Sequence, residues 1–187
     1  MTATRTVVLA LGSNLGDRLA NLQLGLEVLV RSQAGEDAGL ALTAVSAVYQ
    51  TEPVGGPEQD DYYNAVALAD SALPARAILS CCSAAEAAAG RVRTVRWGPR
   101  TLDVDIIACG DEVSTEAELT LPHPRAHQRA FVLAPWLELD PQAVLPGHGP
   151  VAGLLDAIGT AGLQRRPDLR LLLPDQHGLA QTGSPCR

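Results

Sequence analysis

Strand-like and helix-like segments alternate along the first 108 residues in an order that restricts the fold. Leucines at helical spacing after Asp17 predict one helix, and an alanine-rich stretch at 75–89 predicts a second. Runs of apolar and β-branched residues predict four strands, at 6–11, 41–50, 62–69 and 101–108. The order β-α-β-β-α-β is typical of a ferredoxin-like α+β fold, in which helices pack on an antiparallel sheet.

Outside this core the patterns predict shorter elements. Further helices are expected at 126–139 and 151–158, and a short strand at 170–173. Residues 51–61, rich in proline and glycine, and the arginine-rich residues 91–100 are predicted to be loops. We therefore expect a single domain over 1–173, followed by a polar, flexible tail over 174–187.

Composition excludes several classes of function. All 14 basic side chains of the 187 residues are arginine, so neither a P-loop lysine nor a lysine Schiff base is available. The net charge of −7 argues against general binding to nucleic acid or to anionic membranes. No apolar stretch approaches the roughly 18 residues of a membrane span. The four cysteines lack CxxC spacing, so we expect reduced thiols in a cytoplasmic protein. We also expect the protein to be a monomer.

The last predicted strand carries two carboxylates close together. Asp103 and Asp105 are separated by one residue, and the two-residue period of a strand places both on one face, opposite Val104. Neighbouring carboxylates raise each other's pKa unless a cation lies between them, and Mg²⁺ typically takes one or two carboxylates together with substrate phosphates. On this pattern alone, the solvated face of an edge strand is the favoured interpretation.

Arginines on both sides of the aspartates favour a phosphate site. Guanidinium groups bind phosphate oxygens in a bidentate manner, and a merely solvated loop does not explain why arginines adjoin paired aspartates. Zinc is a weaker alternative for His123 and His127, because no HExxH glutamate or third ligand accompanies them. The basic residues form two sets: Arg91, Arg93, Arg96 and Arg100 beside Trp97, and then His123, Arg125, His127 and Arg129.

The segment RWGPRTLDVDI at 96–106 resembles the signature of the 6-hydroxymethyl-7,8-dihydropterin pyrophosphokinase family of folate biosynthesis. The resemblance implies transfer of a pyrophosphoryl group from ATP to the hydroxymethyl oxygen of the pterin, with AMP as the second product. It extends over residues 5–173 through separate motifs in the same order: LGSNLG at 11–16, the stretch 49–55, YYN at 62–64, GRVR at 90–93, LPHPR at 121–125 and RAF at 129–131.

The resemblance also implies roles for individual residues. The implied catalytic residues are Arg91, Arg93, Arg100, Asp103 and Asp105, with the two aspartates holding two Mg²⁺ ions. The implied ATP-binding residues are Glu86, Arg96, Trp97, Ile106, His123, Arg125 and Arg129. The implied pterin-binding residues are Thr51, Val54, Tyr62, Asn64, Trp97 and Phe131. Without the resemblance, ordinary core packing is the favoured interpretation of Tyr62 and Phe131.

Two rival functions fit the same predicted fold. One is a non-catalytic ferredoxin-like module that binds a small ligand or a partner chain. The other is an RNA-binding domain, although the sequence lacks the string of aromatic residues and the basic charge typical of that class. An assay with ATP and the pterin distinguishes the enzyme from both, because only the enzyme yields AMP.

Overall fold

The computed structural model describes residues 3–31, 40–53, 57–91 and 98–174. The predicted helices and strands of the β-α-β-β-α-β core are all present. They are β1 (Arg5–Ser13), α1 (Arg18–Arg31), β2 (Ala41–Val45), β3 (Val48–Thr51), β4 (Tyr62–Ser71), α2 (Ala75–Ala88) and β5 (Asp103–Cys109).

The second half of the chain adds short elements, most of which carry no strong sequence signal. A 3₁₀ turn and α3 together occupy most of the predicted helix 126–139, and α4 coincides with the predicted helix 151–158. The elements are β6 (Ser114–Glu116), β7 (Leu119–Leu121), the 3₁₀ turn (Ala126–Gln128), α3 (Ala130–Leu139), β8 (Val144–Leu145), β9 (Gly149–Pro150), α4 (Val151–Ile158) and β10 (Gln164–Arg166).

One antiparallel sheet organises these elements. Its strands lie in the order β10-β3-β4-β1-β5, and β2 also pairs with β4, beyond the segment that β3 occupies. The first strand is therefore central, flanked by β4 and β5, and β5 lies at one edge. This arrangement confirms the predicted ferredoxin-like α+β class.

The strand predicted at 41–50 is interrupted. Three residues lie between Val45 and Tyr49, whereas two lie between their partners Ala67 and Asn64, so the strand contains one extra residue. Ser46 accommodates it: its N–H donates to the carbonyl of Val66 at 2.9 Å, and its Oγ accepts from the N–H of Val66 at 3.0 Å. A side-chain oxygen thus replaces a backbone acceptor and separates β2 from β3.

The short strand predicted at 170–173 is wrong, and the final strand is instead β10 at Gln164–Arg166. The backbone of Leu172 is instead hydrogen-bonded to a side chain of α1. The side-chain amide of Gln23 on α1 donates to the carbonyl of Leu172 at 3.1 Å and accepts from its N–H at 2.9 Å. Of the predicted tail, Pro174 is described, and 175–187 lie outside the described residues.

The two faces of the sheet bury different helices. Val7, Leu9 and Leu11 of β1 pack against α1 and α2, whereas Val8 packs with α3 and α4. The alternation of side chains along a strand explains this division. The C-terminal helices cover only part of the second face, which leaves its remaining end open. No helix in the described ranges is long and apolar enough to cross a membrane.

Close packing of α1 on the sheet gives a stability prediction. A Cβ at Gly25 would lie 2.9 Å from Cδ2 of Leu102 and 3.3 Å from Cδ2 of Leu11, both of which are buried. We expect Gly25→Val to lower the free energy of unfolding by about 1–3 kcal/mol, because the added methyl groups overpack the core. Urea denaturation measures this change.

Gly153→Val is the matched control. Gly153 lies on an exposed part of α4, and no described atom lies within 4 Å of a Cβ built there. We expect this substitution to change the free energy of unfolding by less than about 0.5 kcal/mol. Equal losses in the two variants would contradict the close approach of α1 to Leu102.

Candidate functional site

A cleft of about 600 Å³ lies over the end of the sheet face that α3 and α4 leave open. Its volume is within the range of small-molecule sites. Asp103 and Asp105 line it from β5, and Tyr62 and Asn64 line it from β4. The two members of each pair lie on the same face of the sheet, because a single residue separates them along the strand.

The aspartate pair is arranged as the sequence predicts. The side chains of Asp103 and Asp105 are 22% and 37% exposed, both towards the cleft, while Val104 between them is buried in the core beneath α1 and α2. Although β5 is an edge strand, the two carboxylates are not simply solvated. Each contacts cationic side chains, so the interpretation as a solvated face is wrong.

Arg91 and Arg100 hold Asp103. Nη1 of Arg91 lies 2.7 Å from Oδ1 of Asp103, and the guanidinium of Arg100 contacts Oδ2. Arg91 also pairs with Glu86, a buried carboxylate on α2 that accepts a hydrogen bond from the N–H of Val104 at 3.1 Å. The guanidinium of Arg91 therefore lies between two carboxylates and ties the end of α2 to β5.

Arg129 and His123 lie beside Asp105. Nη1 of Arg129 is 3.3 Å from Oδ2 of Asp105, and Nε2 of His123 is 3.6 Å from the same oxygen. Burial lowers the pKa of His123 below its ordinary value, although the carboxylate of Asp105 opposes this. Nδ1 of His123 accepts from the N–H of Arg125 at 3.1 Å, so the neutral ring carries its proton on Nε2, towards Asp105.

Aromatic and amide side chains also line the cleft. Tyr62 and Phe131 are both partly exposed along it, and Arg129 lies over Phe131 with its guanidinium carbon 5.5 Å from the ring centroid. Asn64 is buried, and its Nδ2 donates to Oγ1 of Thr51 at 3.0 Å and to the carbonyl of Tyr49 at 3.3 Å. Two rings and a fixed amide therefore line the same cleft as the charged groups.

Sequence reasoning missed the part played by Asn14. Its Oδ1 accepts from the N–H of Arg100 at 2.7 Å, and its own N–H donates to the carbonyl of Arg100 at 3.0 Å. Its Nδ2 donates to Oε1 of Gln59 and to the carbonyl of Asp60. This buried amide thereby fixes the residues that precede both β5 and β4. The LGSNLG motif at 11–16 contained the signal, but its pattern predicts only a turn.

The cleft brings together most of the residues that the resemblance implies, although their chemical roles stay predictions. Ile106 is an exception, because it follows Asp105 and so points to the opposite face, into the core beneath α1 and α2. It borders only a smaller adjoining cavity of about 180 Å³. Val54, Arg93, Arg96 and Trp97 lie outside the described residues. The implied residues that line the cleft are Thr51, Tyr62, Asn64, Glu86, Arg91, Arg100, Asp103, Asp105, His123, Arg125, Arg129 and Phe131.

The donor set of the cleft fits Mg²⁺ better than zinc. In the part of the chain that the structure describes, no group of three or more His, Cys, Asp or Glu side chains is placed to hold a metal ion. Two carboxylates at an open cleft suit an ion that keeps water and takes phosphate oxygens. His127 does not line the cleft, and its ring stacks on that of His148 with centroids 4.2 Å apart.

Comparison with known proteins gives matches over most of the chain. The model of the 7,8-dihydro-6-hydroxymethylpterin-pyrophosphokinase (HPPK) family matches residues 8–141. The 2-amino-4-hydroxy-6-hydroxymethyldihydropteridine pyrophosphokinase of Mycobacterium bovis is 45% identical over 90% of this chain and 90% of that protein. The protein of the same name from Mycobacterium leprae is 49% identical over 76% of each chain. The Pseudomonas aeruginosa protein is 37% identical over 86% of this chain and 96% of its own.

Solved structures show the same fold. Plasmodium falciparum HPPK-DHPS superposes with a TM-score of 0.62 at 12% sequence identity, over 88% of this chain. At that identity the likeness concerns the fold alone. The chain spans about half of the solved one, 48% of its length, so nothing is carried over from the rest of that protein.

Asn14 gives a second stability prediction. Asn14→Ala removes the side-chain hydrogen bonds to Arg100, Gln59 and Asp60, and it leaves the buried N–H of Arg100 without its acceptor. We expect the free energy of unfolding to fall by about 2–3 kcal/mol, measured by urea denaturation. The matched control is Asn21→Ala, which removes an exposed hydrogen bond to the carbonyl of Leu15 and a long one, at 3.4 Å, to Oγ of Ser13. It is expected to cost less than about 1 kcal/mol. A smaller loss at Asn14 than at Asn21 would contradict this.

Proposed function

The chain belongs to the 7,8-dihydro-6-hydroxymethylpterin-pyrophosphokinase family, and on that premise we propose that the cleft over Asp103 and Asp105 is its active site. The enzyme transfers a pyrophosphoryl group from ATP to the hydroxymethyl group of 6-hydroxymethyl-7,8-dihydropterin, in folate biosynthesis, and AMP is the other product. The main observation in favour of this location is that two cleft carboxylates pair with arginines in a cleft that Tyr62 and Phe131 also line.

We place the triphosphate on the charged side of the cleft. Arg91, Arg100 and Arg129 all point their guanidinium groups at Asp103 or Asp105. Phosphate oxygens offer the same bidentate geometry as carboxylates, so these arginines can bind the nucleotide without moving far. Charged groups that are already oriented stabilise a transition state without the cost of reorganisation.

Two Mg²⁺ ions are the proposed partners of Asp103 and Asp105. The carboxylates share one face of β5 and remain accessible from the cleft, as ligands of a nucleotide-bound ion require. When bound, Mg²⁺ neutralises charge on the triphosphate and orients it for in-line transfer. The protein contributes fixed carboxylate positions, because Glu86 holds the N–H of Val104 between them.

The remaining nucleotide contacts are proposed on both sides of the aspartates. Glu86, His123 and Arg125 line the cleft. Burial lowers the pKa of His123, which favours a neutral ring that offers its Nε2 proton as a donor. Arg93, Arg96, Trp97 and Ile106 stay predictions from the resemblance. For Ile106, any contact involves the adjoining cavity rather than the main cleft.

We place the pterin between Tyr62 and Phe131. A flat heterocycle is bound well by two aromatic faces, and its amide edge needs polar groups in the same plane. Asn64 supplies such a group, because its Nδ2 is already held by Thr51 and the carbonyl of Tyr49, which fixes the orientation of the amide. Val54 and Trp97 are the further contacts that the resemblance implies.

We further propose a single catalytic domain over 1–173 that works as a monomer in the cytoplasm, with no nucleic acid or membrane partner. The described part of one chain lines a cleft with both charged and aromatic sides, which supports a monomer. Cys81, Cys82 and Cys109 are free thiols in the described ranges, as is usual in a reducing compartment. The net charge of −7 supports the absence of a nucleic-acid partner.

The activity and the role of the aspartates are tested together. With ATP, Mg²⁺ and the pterin, we expect chromatography to show AMP as the nucleotide product of the wild-type chain. Asp103→Asn and Asp105→Asn should each lower kcat by at least about 100-fold, because each removes charge that the transition state needs. The matched control, Asp111→Asn, changes an exposed aspartate outside the cleft and should keep kcat within about twofold.

Different outcomes of this assay refute different statements. ADP as the nucleotide product, or no turnover by the wild-type chain, would overturn the activity. AMP production by the wild type with near-normal kcat in either cleft variant would leave the activity in place and overturn the role of that aspartate.

Phe131 gives a prediction for pterin binding. We expect Phe131→Ala to weaken the calorimetric affinity for the pterin by at least about tenfold, because it removes one of two stacking faces, while ATP affinity changes by less than about twofold. Leu137→Ala is the control, since Leu137 is a partly buried residue of the same helix that packs in the core and does not line the cleft. Unchanged pterin affinity in Phe131→Ala would return this ring to ordinary core packing.

A further inference from the structure

The last strand of the sheet lies outside the segment that the family model matches. That match ends at residue 141, whereas β10 pairs with β3 through residues 164–166. Without β10, β3 would be an unpaired edge strand, and edge strands open more readily than central ones. This strand deserves a functional explanation, because β3 carries one part of the proposed pterin site.

Arg166 is the residue of β10 that reaches furthest into the sheet. Its Nη1 donates to Oε1 of Gln50 at 2.5 Å and to the hydroxyl of Tyr63 at 3.3 Å. Its Nε and Nη2 donate to the two carboxylate oxygens of Asp168 at 2.9 and 2.7 Å. The side chain is 25% exposed. Asp168 thus fixes the orientation of the Arg166 guanidinium, and Nη1 of that group is directed at β3 and β4.

The two residues that Arg166 contacts stand opposite one another in the sheet. Gln50 of β3 pairs with Tyr63 of β4, and the next pair along is Thr51 with Tyr62. Because successive residues of a strand point to opposite faces, Gln50 and Tyr63 face the α1 side when Thr51 and Tyr62 face the cleft. Holding the first pair therefore sets the position of the second.

Arg18 of α1 and Asp61, the residue before β4, contact the same paired ends of β3 and β4. Nη1 of Arg18 donates to the carbonyl of Asp61 at 2.7 Å, and its guanidinium carbon lies 3.8 Å from the centroid of the Tyr63 ring. Nε2 of Gln50 donates to Oδ2 of Asp61 at 2.6 Å. Arg18, Gln50 and Arg166 thus form one polar network behind the proposed pterin wall.

We propose that Arg166 is a positioning residue for the pterin: through Gln50 and Tyr63 it fixes the paired ends of β3 and β4, where Thr51 and Tyr62 line the cleft. Only three residue pairs join these strand ends, so their alignment depends on side-chain support. The ion pairs of Arg91 with Glu86 and Asp103 join α2 to β5 and do not involve Arg18, Gln50 or Arg166. Arg166 therefore acts on the pterin and not on ATP. This inference rests on the proposed function, because it requires the pterin to bind against Tyr62.

The test is a comparison of steady-state constants in the full chain. We expect Arg166→Ala to raise KM for the pterin by about five- to tenfold, through loss of charge-assisted hydrogen bonds, while KM for ATP and kcat stay within about twofold. Arg166→Lys should restore most of the loss, since an ammonium group can donate to both Gln50 and Tyr63.

Arg165→Ala is the matched control, because Arg165 is the adjacent arginine of β10 and pairs instead with Glu138 on the other side of the sheet, at 3.1 Å. We expect it to leave KM for the pterin within about twofold. An equal rise in both variants would show that docking of the strand, and not the contacts of Arg166, supports the site, and would overturn the proposal. A rise of the KM for ATP in Arg166→Ala that equals the rise of the KM for the pterin would also overturn the proposal.

Gln50→Ala keeps the proposal testable if Arg166→Ala fails to fold. This variant should itself raise KM for the pterin. Where Arg166→Ala does fold, the two effects should combine in the Gln50→Ala/Arg166→Ala variant to less than their product, because both act through one contact. An unchanged KM in Gln50→Ala, or full multiplication in the double variant, would overturn the proposal. A wild-type chain that makes no AMP overturns the proposed function and this inference together. An active wild type with an unchanged pterin KM in Arg166→Ala overturns this inference alone.

Discussion

The ion pairs of Arg91 are the contacts on which the charged half of the cleft depends. One guanidinium lies between Glu86 at the end of α2 and Asp103 at the start of β5, and Glu86 also accepts the N–H of Val104. A buried carboxylate is costly unless it is paired and hydrogen-bonded, and here both conditions are met. The same contacts fix the helix end, the edge strand and the first aspartate relative to one another. Asp103, a proposed metal ligand, and Arg91, proposed to bind phosphate, are thus positioned before any substrate arrives.

Asn14 and Arg166 hold the strand ends that carry Tyr62 and Asn64 through hydrogen bonds. Asn14 uses its amide to hold the residues that enter β4 and β5, and Arg166 uses its guanidinium to hold the paired ends of β3 and β4. Both act from outside the cleft. The sheet itself supplies the spacing, since strand alternation directs Tyr62 and Asn64 towards the same side as Asp103. Through Arg100 and Asp60, Asn14 therefore links the two proposed binding regions at one open sheet end.

How much of this could be predicted follows from the range of each interaction. Alternation was enough to place Asp103 and Asp105 together, because side-chain direction along a strand depends only on local spacing. The contacts of Asn14 could not be predicted, since its partners Arg100 and Asp60 lie 86 and 46 residues away. The interruption at Ser46 and the hydrogen bonds of Gln23 to Leu172 were missed for the same reason. Such contacts between a side chain and distant backbone leave no periodic pattern in the sequence.

We propose that the cleft carboxylates and arginines form one electrostatic unit that binds the metal and the nucleotide together. The most direct test is the calorimetric affinity for a non-hydrolysable ATP analogue, measured with saturating Mg²⁺ and with EDTA, in the wild type and in an Asp103→Asn/Asp105→Asn variant. We expect Mg²⁺ to strengthen binding of the analogue by at least about tenfold in the wild type and by less than about twofold in the variant. The coupling between Mg²⁺ and nucleotide binding requires the two aspartates. An equal strengthening by Mg²⁺ in both proteins would contradict it.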